Sequence, residues 1–209
     1  MTVLWDWNGT LIADVPYVVK LNNQVFRAYG YRGTTEEEYR TIFRFPVRDY
    51  YLEYGVTEED FVSIAREWNQ SYVEGFAEVP LAPHVVETVK RFQAAGFRQV
   101  ILSASQVDQL RAQVARFPEL EGVFDEVLGI GDVYASSKVQ LAKDYLARSG
   151  IDPMDAVFIG DTSHDAEVAR AIGVRCLLVS GGHQRDEVLM KTGETILKSL
   201  TDVFSVLGL

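Results

Sequence analysis

The chain has 209 residues, 47% of them hydrophobic, enough for one sizeable core domain carrying a modest insertion. Its formal net charge of −10 argues against a nonspecific polyanion binder, because neutralising phosphates takes an excess of Lys and Arg. A single cysteine leaves no disulfide framework, no apolar run reaches membrane-spanning length, and a strand beginning at Thr2 leaves no room for a signal peptide. A soluble, cytoplasmic protein without nucleic-acid or membrane partners is therefore expected, as a monomer or homodimer.

In chain order, the apolar run Val3-Leu4-Trp5 ends abruptly in Asp6, and Asn8-Gly9-Thr10-Leu11 follows. In an open α/β sheet, ligands bind beyond the carboxyl ends of the strands, so a carboxylate there is presented to whatever binds. The same residues would also serve a plain Asx turn. Helical periodicity takes over next. Pro16 suits the first turn of a helix that Gly30 can close, and Thr35-Glu36-Glu37-Glu38 has the capping-box form. A short helix over 47–54 stops at Gly55, and Thr57 caps a longer one with acidic residues in its first turn. Its apolar positions Phe61, Ile64, Ala65, Trp68 and Tyr72 recur at spacings of three and four. Pro80 and Pro83 then mark a return to alternating helices and short apolar strands, at 99–103, 124–128, 156–160 and 174–179. Runs without polar alternation suit strands buried on both faces of a parallel sheet. The pattern predicts a doubly wound, five-stranded parallel α/β core over 1–14 and 80–209, with a helical cap domain inserted after the first strand over 15–79, and its helix-rich last stretch offers a short further strand at 195–197.

Three further strand ends carry chemistry. Ser103 follows Leu102, Lys138 opens a helix after Ser136 and Ser137, and Gly160-Asp161-Thr162-Ser163-His164-Asp165 follows the strand over 156–160. Carboxylates of Asp6, Asp161 and Asp165 converging on one crevice would repel, and a divalent cation resolves that repulsion. Mg²⁺ takes hard oxygen ligands, usually one or two carboxylates with waters and substrate phosphate. With Lys138 and the hydroxyls of Thr10 and Ser103, these residues make an anion-binding cup with a carboxylate at its base, as attack on a phosphoryl group needs.

At these residues the chain resembles the haloacid dehalogenase superfamily of hydrolases, of the type with a helical cap after the first strand, and is most similar to phosphoglycolate-phosphatase-like members. The resemblance rests on Asp6-Trp7-Asn8-Gly9-Thr10-Leu11, Ser103, Lys138, the segment 160–165, and Ser180-Gly181-Gly182-His183-Gln184. It implies a Mg²⁺-dependent phosphatase of a small phosphorylated metabolite, with Asp6 as nucleophile and Lys138 balancing charge. Thr10 and Ser103 would orient the phosphoryl oxygens, with Ala104 beside them in the substrate site. Asp6, the backbone carbonyl of Asn8, and Asp161 would hold the metal, with Asp165 in or next to its ligand shell. The chain departs from the family at Asn8, where phosphatases usually carry a second Asp that protonates the leaving oxygen and activates water. An amide positions water but carries no proton, and such acid–base work is worth about 10²–10⁴ in rate.

Three alternatives follow from that departure. A binding or regulatory protein would keep the pocket and turn over poorly. Dehalogenases need no metal, which leaves Asp161 and Asp165 unexplained, and phosphonatases need a cap lysine, for which only Lys20 is present over 12–89. Substrate choice falls to the cap, where Arg44 and Arg48 either fork onto a substrate carboxylate or second phosphate, or pair with acids such as Glu38 and Asp49.

Overall fold

The computed structural model describes residues 1–131 and 137–209, so Ser136 lies outside the described residues. Among the described residues six strands form: β1 (Thr2–Trp5), β2 (Arg98–Gln106), β3 (Glu126–Ile130), β4 (Ala156–Gly160), β5 (Arg175–Val179) and β6 (Thr195–Leu197). They pair in parallel throughout, in the order β3-β2-β1-β4-β5-β6. Among the described residues the sheet thus has the five expected core strands and a sixth over 195–197, where the sequence offers a short strand. The sixth is three residues long and pairs with the open edge of β5 at Leu177, Leu178 and Val179.

Each inner strand is buried on both faces, which is why its sequence does not alternate with polar residues. Val3 and Trp5 of β1 enter one apolar cluster and Leu4 the other. The Leu4 face is covered by α7 (Lys138–Ser149) and α8 (Ser163–Ile172). The opposite face packs under α5 (Val85–Ala94), α6 (Val107–Val114) and α10 (Asp202–Leu207), where the rings of Phe92 and Phe204 lie 4.9 Å apart. A short helix, α9 (Asp186–Leu189), precedes β6.

Between β1 and α5 the chain is helical: α1 (Val15–Ala28), α2 (Glu36–Ile42), α3 (Val47–Tyr54) and α4 (Glu58–Gly75). The caps read from the sequence form as hydrogen bonds. Thr35 accepts from the Glu38 amide at 3.2 Å and Thr57 from the Asp60 amide at 3.3 Å. The strands of chain entering and leaving this helical segment are tied to each other, Ala13 N donating to Pro80 O and Ala82 N to Leu11 O, both at 3.0 Å. No helix among the described residues is long and apolar enough to cross a membrane.

The turn after β1 is anchored by Trp7. Its indole N–H donates to Gln113 Oε1 at 2.9 Å, and its ring meets Phe117 edge-on. Both partners of that hydrogen bond are buried. Trp7→Phe should cost about 1–3 kcal/mol in urea denaturation by orphaning the Gln113 acceptor, and much of that loss should return in Trp7→Phe/Gln113→Leu.

Candidate active site

The sheet order reverses at β1, whose neighbours are β2 and β4, and Asp6 and Asp161 stand just past the carboxyl ends of β1 and β4. Adjacent strands thereby place these carboxylates at the switch point where doubly wound sheets bind ligands. The Asp6 amide donates to Ile159 O at 2.8 Å and locks the turn against β4. Asp165 arrives from the first turn of α8, where it closes a capping box with Thr162. Its Oδ2 accepts from the amides of Asp161 (3.1 Å) and Thr162 (2.9 Å) and from the Thr162 hydroxyl (2.7 Å). Oδ1 is left for Lys138, whose Nζ donates to it at 2.6 Å and also donates to Asp6 Oδ1. Lys138 is the first residue of α7, which Ser137 caps by accepting from the Gln140 amide.

Asp161 sits in a glycine cradle. Its Oδ1 accepts from the Thr10 hydroxyl at 3.2 Å and its Oδ2 from the His183 amide at 2.6 Å. A Cβ on Gly9 or on Gly182 would lie 2.2 Å from that Oδ2. Gly9 also has φ +72°, so its lack of a side chain is required twice over.

Burial raises the carboxyl of Asp6 well above the usual range, against the opposing charge of Lys138, and Asp165 and Asp161 add to the rise. Burial likewise pushes Asp161 up to about 6. Asp165 is desolvated too, but the charge of Lys138 and its hydrogen bonds hold its carboxyl low. Lys138, though buried, is kept charged by Asp165 and Asp6. One ammonium thus bonds two of three buried carboxylates that bring one oxygen each to within 4.8 Å of the others. That surplus of negative charge on hard oxygen donors fits a divalent cation of the Mg²⁺ type.

Asn8 lies beside this cluster and is engaged on both sides of its amide. Its Nδ2 donates to Asp14 Oδ2 (2.9 Å) and to the Tyr72 hydroxyl (2.8 Å), and its Oδ1 accepts from the Ser105 hydroxyl (3.0 Å). Asp14 is a hub that reading the sequence missed. It stands at the N-terminus of α1 yet makes no side-chain cap, and its carboxylate instead takes the Gly9 amide, Asn8, Tyr72 and His183. The available signal was an N-cap Asp four residues beyond Thr10. His183 Nε2 lies 3.1 Å from Asp14 and its Nδ1 2.7 Å from the Tyr39 hydroxyl. Although burial opposes it, Asp14 raises the imidazole to about 9. His183 in turn draws Asp14 down despite its burial.

A cavity of about 520 Å³ opens over the cluster. Asp6, Asn8, Ser103, Ala104, Lys138, Asp161 and Asp165 all line it. Thr10 instead borders a second cavity, of about 350 Å³, while its hydroxyl supports Asp161. Arg44 pairs with Glu53, and Arg48 with Glu58 and Asp49, on the surface, and neither lines the cavity. Tyr50, Tyr51 and Trp68 also border the cavity. Lys20 is exposed and paired with Glu78 at 2.5 Å. Cys176 is a free, buried thiol that burial keeps protonated.

Residues 3–179 match the family described as haloacid dehalogenase-like hydrolase. Among individual proteins, the chain is 23% identical to phosphoglycolate phosphatase 1 of Pseudomonas aeruginosa, covering 93% of this chain and 75% of that one. It is 26% identical to pyrophosphatase PpaX of Bacillus pumilus, over 99% of this chain and 96% of the other. A haloacid dehalogenase-like hydrolase from Streptococcus pneumoniae shares the fold with a TM-score of 0.87 at 18% identity, covering 99% and 97% of the two chains.

Two outcomes test the geometry. Gly182→Ala, whose added methyl meets Asp161, should weaken divalent-cation binding about tenfold or more by calorimetry. In metal-free protein, Asp161 titrating near 6 means that the folded state binds more protons than the unfolded chain between about pH 4 and 6, so stability falls as pH rises through that window. Mg²⁺ should therefore raise the unfolding temperature strongly at about pH 7.5 and little at about pH 4.5.

Proposed function

The chain belongs to the haloacid dehalogenase-like hydrolases, and we propose that it is a Mg²⁺-dependent phosphatase of a small phosphorylated metabolite, with Asp6 as the nucleophile. The observation that carries this reading is the Asp6 carboxylate at the cavity floor, bound to the Lys138 ammonium and flanked by Asp161 and Asp165. The names of the relatives, phosphoglycolate phosphatase and pyrophosphatase, support phosphorus–oxygen bond hydrolysis.

In this reading an Asp6 oxygen attacks phosphorus as the ester bond to the leaving oxygen breaks, which leaves an acyl phosphate on Asp6. The leaving oxygen takes a proton from water. A second water then attacks phosphorus, gives its proton to solvent, and returns free Asp6 and inorganic phosphate. Lys138 offsets the charge of Asp6 and the incoming phosphoryl oxygens, and its tie to Asp165 fixes where that charge sits. The Ser103 hydroxyl, on the cavity wall, orients a phosphoryl oxygen with Ala104 beside it, and Thr10 acts through Asp161. Mg²⁺ held by Asp6, Asp161, Asp165 and the Asn8 carbonyl would draw charge from the phosphoryl oxygens. The helical segment 15–79 serves as a cap domain whose closure excludes water.

Asn8 supports a second reading, a pocket that binds phosphate and turns it over slowly. Its amide cannot carry a proton, and its hydrogen bonds to Asp14, Tyr72 and Ser105 are complete. Hydrolysis of small phosphoesters with Mg²⁺ by wild type, Asp6→Asn and Asn8→Asp separates the two. Wild-type turnover lost in Asp6→Asn, with a phosphoryl mass gain on the wild-type Asp6 peptide, is the expected result. Turnover surviving in Asp6→Asn would refute the nucleophile, and turnover confined to Asn8→Asp would favour the binding reading.

A further inference from the structure

The cavity is far larger than a phosphoryl group and a two-carbon acid require. At about 520 Å³ it falls within the roughly 300–1,000 Å³ range of pockets that enclose a whole organic ligand. Its wall from the helical segment is aromatic, with Phe43, Phe45, Tyr51, Phe61, Trp68 and Tyr72 among the lining residues. Trp68 and Tyr72 stack with ring centroids 5.0 Å apart and planes 14° from parallel. Their polar atoms are already spent within the protein, the indole N–H on Asn22 Oδ1 at 2.7 Å and the hydroxyl on Asp14 at 2.8 Å. Hydrocarbon and ring faces are what these two side chains have left to offer a ligand.

The charges point the same way. Among the described residues lining the cavity, the carboxylates are Asp6, Asp14, Asp161 and Asp165, and the cationic groups are Lys138 and His183. Both cations are held by carboxylates, Lys138 by Asp6 and Asp165, and His183 by Asp14. Asn69, Gln106 and Gln109 add only neutral amides. A divalent cation evens the balance and the phosphoryl group then uses it. A second anionic group on the substrate would find no counter-charge, and burying it unpaired is costly. Arg44 and Arg48 do not supply one, being paired with glutamates on the surface.

Resting on the phosphatase reading, we propose that the leaving group is uncharged and aromatic, so that the substrate is an aryl or arylalkyl phosphomonoester and not a phosphorylated carboxylic acid or a bisphosphate. Two phosphonates with a methylene in place of the ester oxygen test this without turnover. Phenethylphosphonate mimics benzyl phosphate, and phosphonopropionate mimics phosphoglycolate. In calorimetry with wild-type protein and Mg²⁺, phenethylphosphonate should bind at least about tenfold more tightly. Trp68→Ala should cut that preference about tenfold, and Asn69→Arg, on an exposed turn of the cavity wall, should shift it toward phosphonopropionate. Equal or reversed wild-type affinities, or no binding of phenethylphosphonate, would overturn the inference. Parallel turnover of benzyl phosphate and phosphoglycolate keeps the two claims apart. Tight phenethylphosphonate binding without hydrolysis of either ester would sink the phosphatase reading alone, and preferential hydrolysis of phosphoglycolate would sink the substrate class alone.

Discussion

A single buried ammonium holds the centre of this molecule together. Lys138 is 3% exposed and bridges Asp6 on β1 to Asp165 on α8, two elements that would otherwise bring like charges into one desolvated crevice. Removing either partner would strand a buried charge, so the start of α7 has to be placed accurately against the sheet. Much of the local sequence serves that placement. Ser137 caps α7, Thr162 and Asp165 cap each other at α8, and Gly9 and Gly182 leave room for Asp161. The arrangement still leaves more negative than positive charge in place, and that surplus is what makes the site suited to a divalent cation.

Asp14 does for the helical segment what Lys138 does for the core. Its carboxylate joins Asn8 and Gly9 of the β1 turn to Tyr72 on α4 and to His183. His183 is joined in turn to Tyr39 on α2, and nearby Gln184 Nε2 donates to Phe43 O at 2.9 Å. The helices over the cavity are therefore hydrogen-bonded to the same loops that position the cluster. The Asn8 side chain belongs to this network: its two N–H groups meet acceptors, and a carboxylate in its place would face Asp14 at the distance of a hydrogen bond. An amide at position 8 is thus the side chain that the surroundings of Asp14 satisfy, whatever it costs in proton transfer.

Much of this was legible in order along the chain. Thr35, Thr57 and Ser137 declare their helices because capping is local, made between residues three apart. The inner strands declare themselves as short apolar runs because both their faces are buried, and Asp6 and Asp161 follow because a strand's last residue leads into the crevice. By contrast, the surface pairing of Arg44 with Glu53 depends on how the loop after α2 meets α3 rather than on spacing.

The sequence by itself determined the fold class, the positions of the caps and the set of groups able to meet at the strand ends, since these follow from local hydrogen bonding and from which residues must leave water. Only the tertiary structure decided how those groups are shared. It gave Lys138 to Asp6 and Asp165 together, turned Thr10 toward Asp161, and made Asp14 a partner of Asn8 and His183 rather than a helix cap. It also gathered aromatic side chains from separate helices into one wall. Contacts such as Asn8 with Tyr72, or Asp14 with His183, span 64 and 169 positions of chain, and no local propensity reaches that far. They are fixed by the packing of the helices against the sheet.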